Sequence, residues 1–95
     1  MTLNEVRAHR DIILGIASRH GARNIRVFGS TARGTATRSS DVDLLVDLEP
    51  GRTLLDLGGL LMDVQSATGL RVDVAMERML RPDARAQALE EAVPL

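Results

Sequence analysis

Gly29-Ser30-Thr31-Ala32-Arg33-Gly34, followed after a polar loop by Ser40-Asp41-Val42-Asp43-Leu44-Leu45-Val46-Asp47-Leu48, sets the frame for the whole chain. Just ahead of it, Ile25-Arg26-Val27-Phe28 is a β-rich run that stops at Gly29. Ser30 to Gly34 is expected to make one or two helical turns, and Thr35 to Ser40 a polar loop. Val42 to Leu48 then forms a second strand. Side chains on a strand alternate with period two, so Asp41 and Asp43 share one face. Val42, Leu44, Val46 and Leu48 share the other, which is wholly apolar and must be the core side. Two carboxylates about 4 Å apart repel by roughly 4 kcal/mol at an effective dielectric of about 20, so the pair asks for a cation. Oxygen-only ligands of this kind suit Mg²⁺, which usually takes one or two carboxylates plus substrate phosphates. Gly29-Ser30 supplies the other half of such a site. Glycine lets backbone approach a ligand closely, and Ser30 offers a hydroxyl and a helix N-cap whose free amides favour phosphate. Asp47 lies at the far end of the strand and reads as solvated.

Composition sets the limits. The chain has 95 residues, enough for one domain (residues 1–95) and one core, but not for a catalytic domain plus a substrate domain. Hydrophobic content of 44% and charged content of 26% are ordinary for a soluble globular protein. A net charge of −1 gives no bulk electrostatic argument for nucleic acid or membrane. All 12 basic residues are arginine, which excludes a Schiff-base or phosphate-loop lysine mechanism. With 0 cysteines there is no disulfide, thiolate zinc site or cysteine nucleophile. Nothing resembles a signal peptide or membrane span, so the cytoplasm is the expected location. Phe28 is the single aromatic residue, so base-stacking platforms for single-stranded nucleic acid are missing.

Taken in order, Thr2 to Glu5 fits a capping box. Leu3, Val6, Ile13, Ile16 and Ala17 recur at helical spacing, with Ile12 widening the stripe, which predicts one helix from Leu3 to about His20 with Gly21 at its end. His9 and His20 on that helix read as solvent-facing rather than as ligands, because no second ligand is nearby in sequence. After the second strand, Glu49-Pro50-Gly51 is a turn. Thr53-Leu54-Leu55-Asp56 repeats the capping signature, and Leu54, Leu57, Leu61 and Val64, with Leu60 alongside, give a helix ended by Gly69. Leu70 to Ala75 alternates as a third strand. A last helix starts near Pro82, carries a thin stripe of Leu80, Ala84, Ala88 and Ala92, and ends near Ala92. The tail residues Leu89, Ala92, Val93 and Leu95 form either a partner surface or a segment folded back on the sheet.

The predicted order is αβαβαβα, an α/β (α+β) class. If Gly29-Ser30 and Asp41-Val42-Asp43 serve one ligand, the end of the first strand must neighbour the start of the second, and the two run antiparallel. The third strand follows a helical crossover and should lie parallel to the second, which brings Asp73 onto the carboxylate face. The expected architecture is a small mixed three-stranded sheet with helices packed on one side.

Three groups of residues now carry a family resemblance: Gly29 to Gly34, Ser40 to Val46, and Val72-Asp73-Val74. Together they resemble the polymerase-beta-type nucleotidyltransferase superfamily, and within it the minimal nucleotidyltransferases. A lone Asp-x-Asp is a weak signal, since acidic pairs often mark solvated strand ends. The combination is far more specific, and it spans the chain from the first helix to the third strand.

The resemblance implies a nucleotidyltransferase fold and an Mg²⁺-dependent enzyme with a two-metal site. Asp41 and Asp43 match the family's metal ligands on the nucleoside triphosphate. Asp73 matches the third carboxylate, which shares a metal and helps deprotonate the attacking hydroxyl. Gly29 and Ser30 match the phosphate-binding turn. Arg33 could offer a guanidinium to phosphate, with a plain surface role as the alternative. The reaction implied is in-line displacement at the α-phosphorus. Larger relatives add an acceptor-binding domain, for which this length leaves no room. Minimal members resemble antitoxins, of a type VII-like kind, that transfer AMP from ATP to a tyrosine of a HEPN-domain toxin. Two alternatives stay open: a nucleotidyltransferase acting on a small molecule such as an antibiotic, and a non-catalytic antitoxin that neutralises by binding alone. Asp73 argues against the last, because pure binding does not require it.

Overall fold

A computed structural model describes residues 2–95. The elements are α1 (Leu3–Arg7), α2 (Arg10–Arg19), β1 (Ala22–Phe28), α3 (Gly29–Arg33), β2 (Val42–Leu48), α4 (Leu54–Thr68), β3 (Val72–Ala75), α5 (Pro82–Glu91) and β4 (Val93–Pro94), with a single 3₁₀ turn at Glu77–Met79 between β3 and α5.

The sheet order is β3-β2-β1-β4. β1 runs antiparallel to β2, pairing Val27 with Leu44 and Phe28 with Asp43. β3 runs parallel to β2, pairing Asp43 with Asp73. Both directions follow the expectation, and the α/β class stands. The fourth strand is an addition. Val93 pairs with Val27 and Pro94 with Arg26, and the Leu95 N–H donates to the Ile25 carbonyl at 3.0 Å. Proline has no N–H to give, and an edge strand is where a sheet tolerates it. The tail therefore folds back: Leu95 is buried and Val93 packs against the core, while Leu89 stays exposed.

The core lies between one face of the sheet and the pair α2 and α4. Val42, Leu44 and Val46 on β2 are buried together with Val27, Val72 and Val74 of the neighbouring strands. Ile13, Ile16 and Ala17 of α2 and Leu57, Leu60 and Val64 of α4 close over them. Leu54 and Ile12, expected in the stripes, are largely exposed. On α4 the buried set is shifted toward Leu60. Thr53 does cap α4: its Oγ1 accepts from the Leu55 N–H and Asp56 accepts from the Thr53 N–H, a complete capping box. Gly69 ends the helix at φ +73°.

α5 is the helix not on that side. It lines a cavity with Asp43, on the sheet face opposite Leu44. By alternation Leu45 points to this second face, yet it is fully buried, so the carboxylate side of the sheet is covered at its centre.

Three local expectations are corrected. The first helix is two, because α1 closes at Ala8 and His9 donates to Val6, an i→i−3 bond, before α2 resumes from the His9 carbonyl. No Gly or Pro marks the break. β1 begins three residues early, at Ala22, and carries a bulge between Arg23 and Arg26 with Asn24 at φ +53°. Asparagine tolerates that conformation, and its side chain donates to Asp47 at 3.0 Å. His20 is not solvent-facing. Its Nε2 lies 2.7 Å from Asp63, and Gly59 leaves the space its ring occupies.

Candidate active site

The candidate site forms where β1 ends, α3 begins and the middle of the sheet comes alongside. Gly29 sits at φ +72°, a conformation that L side chains rarely adopt. A Cβ at Gly29 would collide with the Asp43 carboxylate. The turn and the carboxylate are therefore in direct apposition, as pairing of Phe28 with Asp43 requires. Asp73 is brought beside Asp43 by the β2–β3 register. It is exposed, and its Oδ1 accepts the Val74 N–H at 3.0 Å.

The electrostatics follow from this placement. Burial, and after it the neighbouring carboxylates of Asp73 and then Asp41, hold the Asp43 carboxyl above its ordinary value of 3.8; Arg33 pulls it down and Glu91 pushes it further up. A carboxylate destabilised by burial and by two others is a site short of positive charge. All the donors are oxygens, which suits Mg²⁺. Asp41, Asp43 and Asp73 are the residues that would hold it. They are not gathered as they stand. Among the described residues no three acidic or histidine side chains converge closely enough to hold an ion. Asp41 lies just ahead of β2, with its Oδ1 3.2 Å from Arg71 Nε, and that arginine also donates to the Ser39 carbonyl. Sequence reading missed Arg71, which stands out only once β3 lies beside β2.

The phosphate-binding turn differs from expectation in one respect. Ser30 is not the N-cap of α3. Phe28 holds that position, and it makes no side-chain capping bond. The capping acceptor comes from the other end of the chain: the Gly29 N–H donates to Glu91 Oε1 at 3.0 Å. The same carboxylate takes Arg33, whose Nη1 is 3.0 Å from both oxygens. Arg33 is thus neither a free guanidinium nor a plain surface residue. Ser30 falls in the first turn of α3 and its backbone carbonyl accepts the Thr35 N–H at 2.9 Å. Glu91 was not legible in advance, since it lies 62 residues from Gly29 in a polar helix end. Gly29, Ser30, Arg33, Asp43, Ala88 and Glu91 line a cavity of about 360 Å³. Asp47 is bound by Arg26 and Asn24 at 3.0 Å each, at the far end of β2, and takes no part.

Comparison with known proteins agrees with this geometry. The family profile described as "Nucleotidyltransferase domain" matches residues 9–95. A protein of Methanocaldococcus jannaschii provisionally named protein adenylyltransferase MJ0435 is 34% identical over 93 residues, covering 98% of this chain and 97% of that protein. Protein adenylyltransferase MntA of Thermococcus cleftensis is 41% identical over 78 residues, covering 82% of this chain and 79% of the relative. A solved structure provisionally described as a minimal nucleotidyltransferase superposes with a TM-score of 0.86 at 50% identity, over 100% of this chain and 97% of its own. The fold is also shared, at a TM-score of 0.74 and 23% identity, with a chain of a toxin–antitoxin crystal structure containing AMP-PNP, over 97% of this chain and 72% of that one. The turn at Gly29, the paired carboxylates on β2 and β3 and the extent of these matches together identify the chain as a member of the nucleotidyltransferase family of enzymes.

Proposed function

We propose that this protein is an Mg²⁺-dependent protein adenylyltransferase that transfers AMP from ATP to a tyrosine of a partner, and that it serves as the antitoxin to a HEPN-domain toxin. The observation that carries the catalytic part is the register pairing Asp43 with Asp73, directly beside the Gly29 turn. Two relatives named as protein adenylyltransferases support a protein acceptor. The shared fold of a toxin–antitoxin complex with AMP-PNP is in keeping with ATP and a toxin. The chain contains 0 tyrosines, so a phenolic acceptor must belong to another protein.

In this reading Gly29 N–H and Arg33 hold the triphosphate, with Ser30 in the adjoining turn. Asp41 and Asp43 bind the metal side of the nucleotide. Asp73, exposed on the neighbouring strand, takes part in removing the proton from the attacking phenol. That oxygen bonds to the α-phosphorus as pyrophosphate departs. A bound Mg²⁺ supplies neutralisation of charge on the attacking and leaving oxygens.

The test is to incubate the protein with Mg²⁺ and α-labelled ATP in a lysate of its own source, then separate macromolecules from small molecules. Label on one protein, at an alkali-stable tyrosyl phosphodiester, is the expected result. Label confined to the small-molecule fraction would replace the protein acceptor with a metabolite or antibiotic.

A further inference from the structure

The carboxylate of Glu91 makes the contacts that a phosphate would make. It accepts the Gly29 N–H at 3.0 Å, and both of its oxygens lie 3.0 Å from Arg33 Nη1. Its side chain is only 16% exposed, against 43% for Arg33. One amide and one guanidinium around an oxyanion is a recurrent way of holding a phosphate group, because charge-assisted bonds to either are the strong ones. Here those donors are already engaged by an anion of the chain's own. They share a cavity of about 360 Å³ with Asp43.

Glu91 is also placed to leave. It is the last residue of α5, and Ala92 after it is extended at φ −62°, ψ 135°. A rotamer change at the end of a helix does not require the helix to move. Its negative charge faces the same cavity as Asp43, so it adds to the repulsion that any triphosphate meets there.

We propose that Glu91 is an internal placeholder, occupying in the nucleotide-free protein the position against Gly29 and Arg33 that a phosphate of the incoming nucleoside triphosphate takes by displacing it. This rests on the reading that nucleotide binds at the Gly29 turn. Binding is then an exchange of one anion for another, and nucleotide affinity is held below what the donors alone would give.

The test is calorimetric titration of wild type, Glu91→Gln, Glu91→Asp and Asp43→Asn with Mg²⁺-ATP and, separately, with Mg²⁺ and inorganic tripolyphosphate. Glu91→Gln keeps size and a carbonyl acceptor but loses the charge. Glu91→Asp keeps the charge but shortens the reach. Glu91→Gln is expected to bind both ligands about tenfold more tightly, equivalent to about 1.4 kcal/mol, and Glu91→Asp by a smaller factor in the same direction. Asp43→Asn is expected to weaken Mg²⁺-ATP. If Asp43→Asn weakens binding but neither Glu91 variant tightens it, Glu91 is a fixed clamp and the placeholder fails while the site stands. If Asp43→Asn binds as wild type does, the nucleotide lies elsewhere and both readings fall. Loss of the native fold in both Glu91 variants would likewise overturn the placeholder, since it would make Glu91 a structural tie.

Discussion

Gly29 and Asp43 are tied to one another, and their tie can be tested one residue at a time. Gly29→Ala puts a methyl group at φ +72° and against the Asp43 carboxylate. Left-handed backbone costs a non-glycine residue roughly 1–2 kcal/mol, before any displacement of Asp43 is counted. The expected outcome is a measurable fall in denaturation midpoint and loss of the thermal shift given by Mg²⁺-ATP. Asp43 itself works against the fold at neutral pH. Because its carboxyl is raised above 3.8 in the folded protein, its contribution favours folding below 3.8 and is lost as pH rises through the raised folded value. Asp43→Asn is therefore expected to raise the melting temperature at pH 7 and to bring no gain below pH 3.8, measured without ligand across that range. In wild type, Mg²⁺-ATP should be released on acidification at a higher pH than an ordinary aspartate would give, because protonation of Asp43 competes with the cation. Its role was visible in the Asp-x-Asp pattern. So was the repulsion from Asp41 and Asp73, but the burial that raises its carboxyl most was not, since it depends on how the sheet is covered.

At the scale of elements, legibility follows the distance between cause and effect. α4 was readable because Thr53, Asp56 and Gly69 act within a turn of the ends they define. Thr53→Ala is expected to cost about 1 kcal/mol in urea denaturation through loss of the cap. β2 was readable from alternation alone, but the cover over its second face was not. Leu45, which alternation sets on the same face as Asp43 and Asp47, is fully buried. Leu45→Ala is expected to destabilise by about 2–5 kcal/mol, as removal of a core leucine does; a cost below 0.5 kcal/mol would mean that the carboxylate face is open there. β4 was illegible for a different reason. A two-residue strand containing Pro94 has no pattern of its own, and it exists because β1 offers a free edge. The break between α1 and α2 likewise has no residue that announces it.

For the whole molecule, sheet order converts a sequence pattern into chemistry. β1 antiparallel to β2 sets Gly29 against Asp43, and β3 parallel to β2 sets Asp73 beside Asp43, so residues 29 and 73 both border residue 43 without any one element holding two of the three. α5 and β4 close the arrangement from the C-terminal end, where Glu91 reaches the turn. No helix among the described residues is long and apolar enough to cross a membrane. The proposed chemistry depends on Asp73 as the group assisting proton removal, a contribution typically of 10²–10⁴-fold in rate. The most direct measurement is the intact mass of the co-expressed partner protein after incubation with Mg²⁺-ATP and either wild type or Asp73→Asn, with toxicity of the partner followed in parallel. Wild type should add the mass of AMP to the partner and abolish its toxicity, while Asp73→Asn, still binding Mg²⁺-ATP, does so at least about 100-fold more slowly. If Asp73→Asn neutralises the partner as well as wild type does, with no added mass in either case, the protein acts by binding alone and the enzymatic account is contradicted.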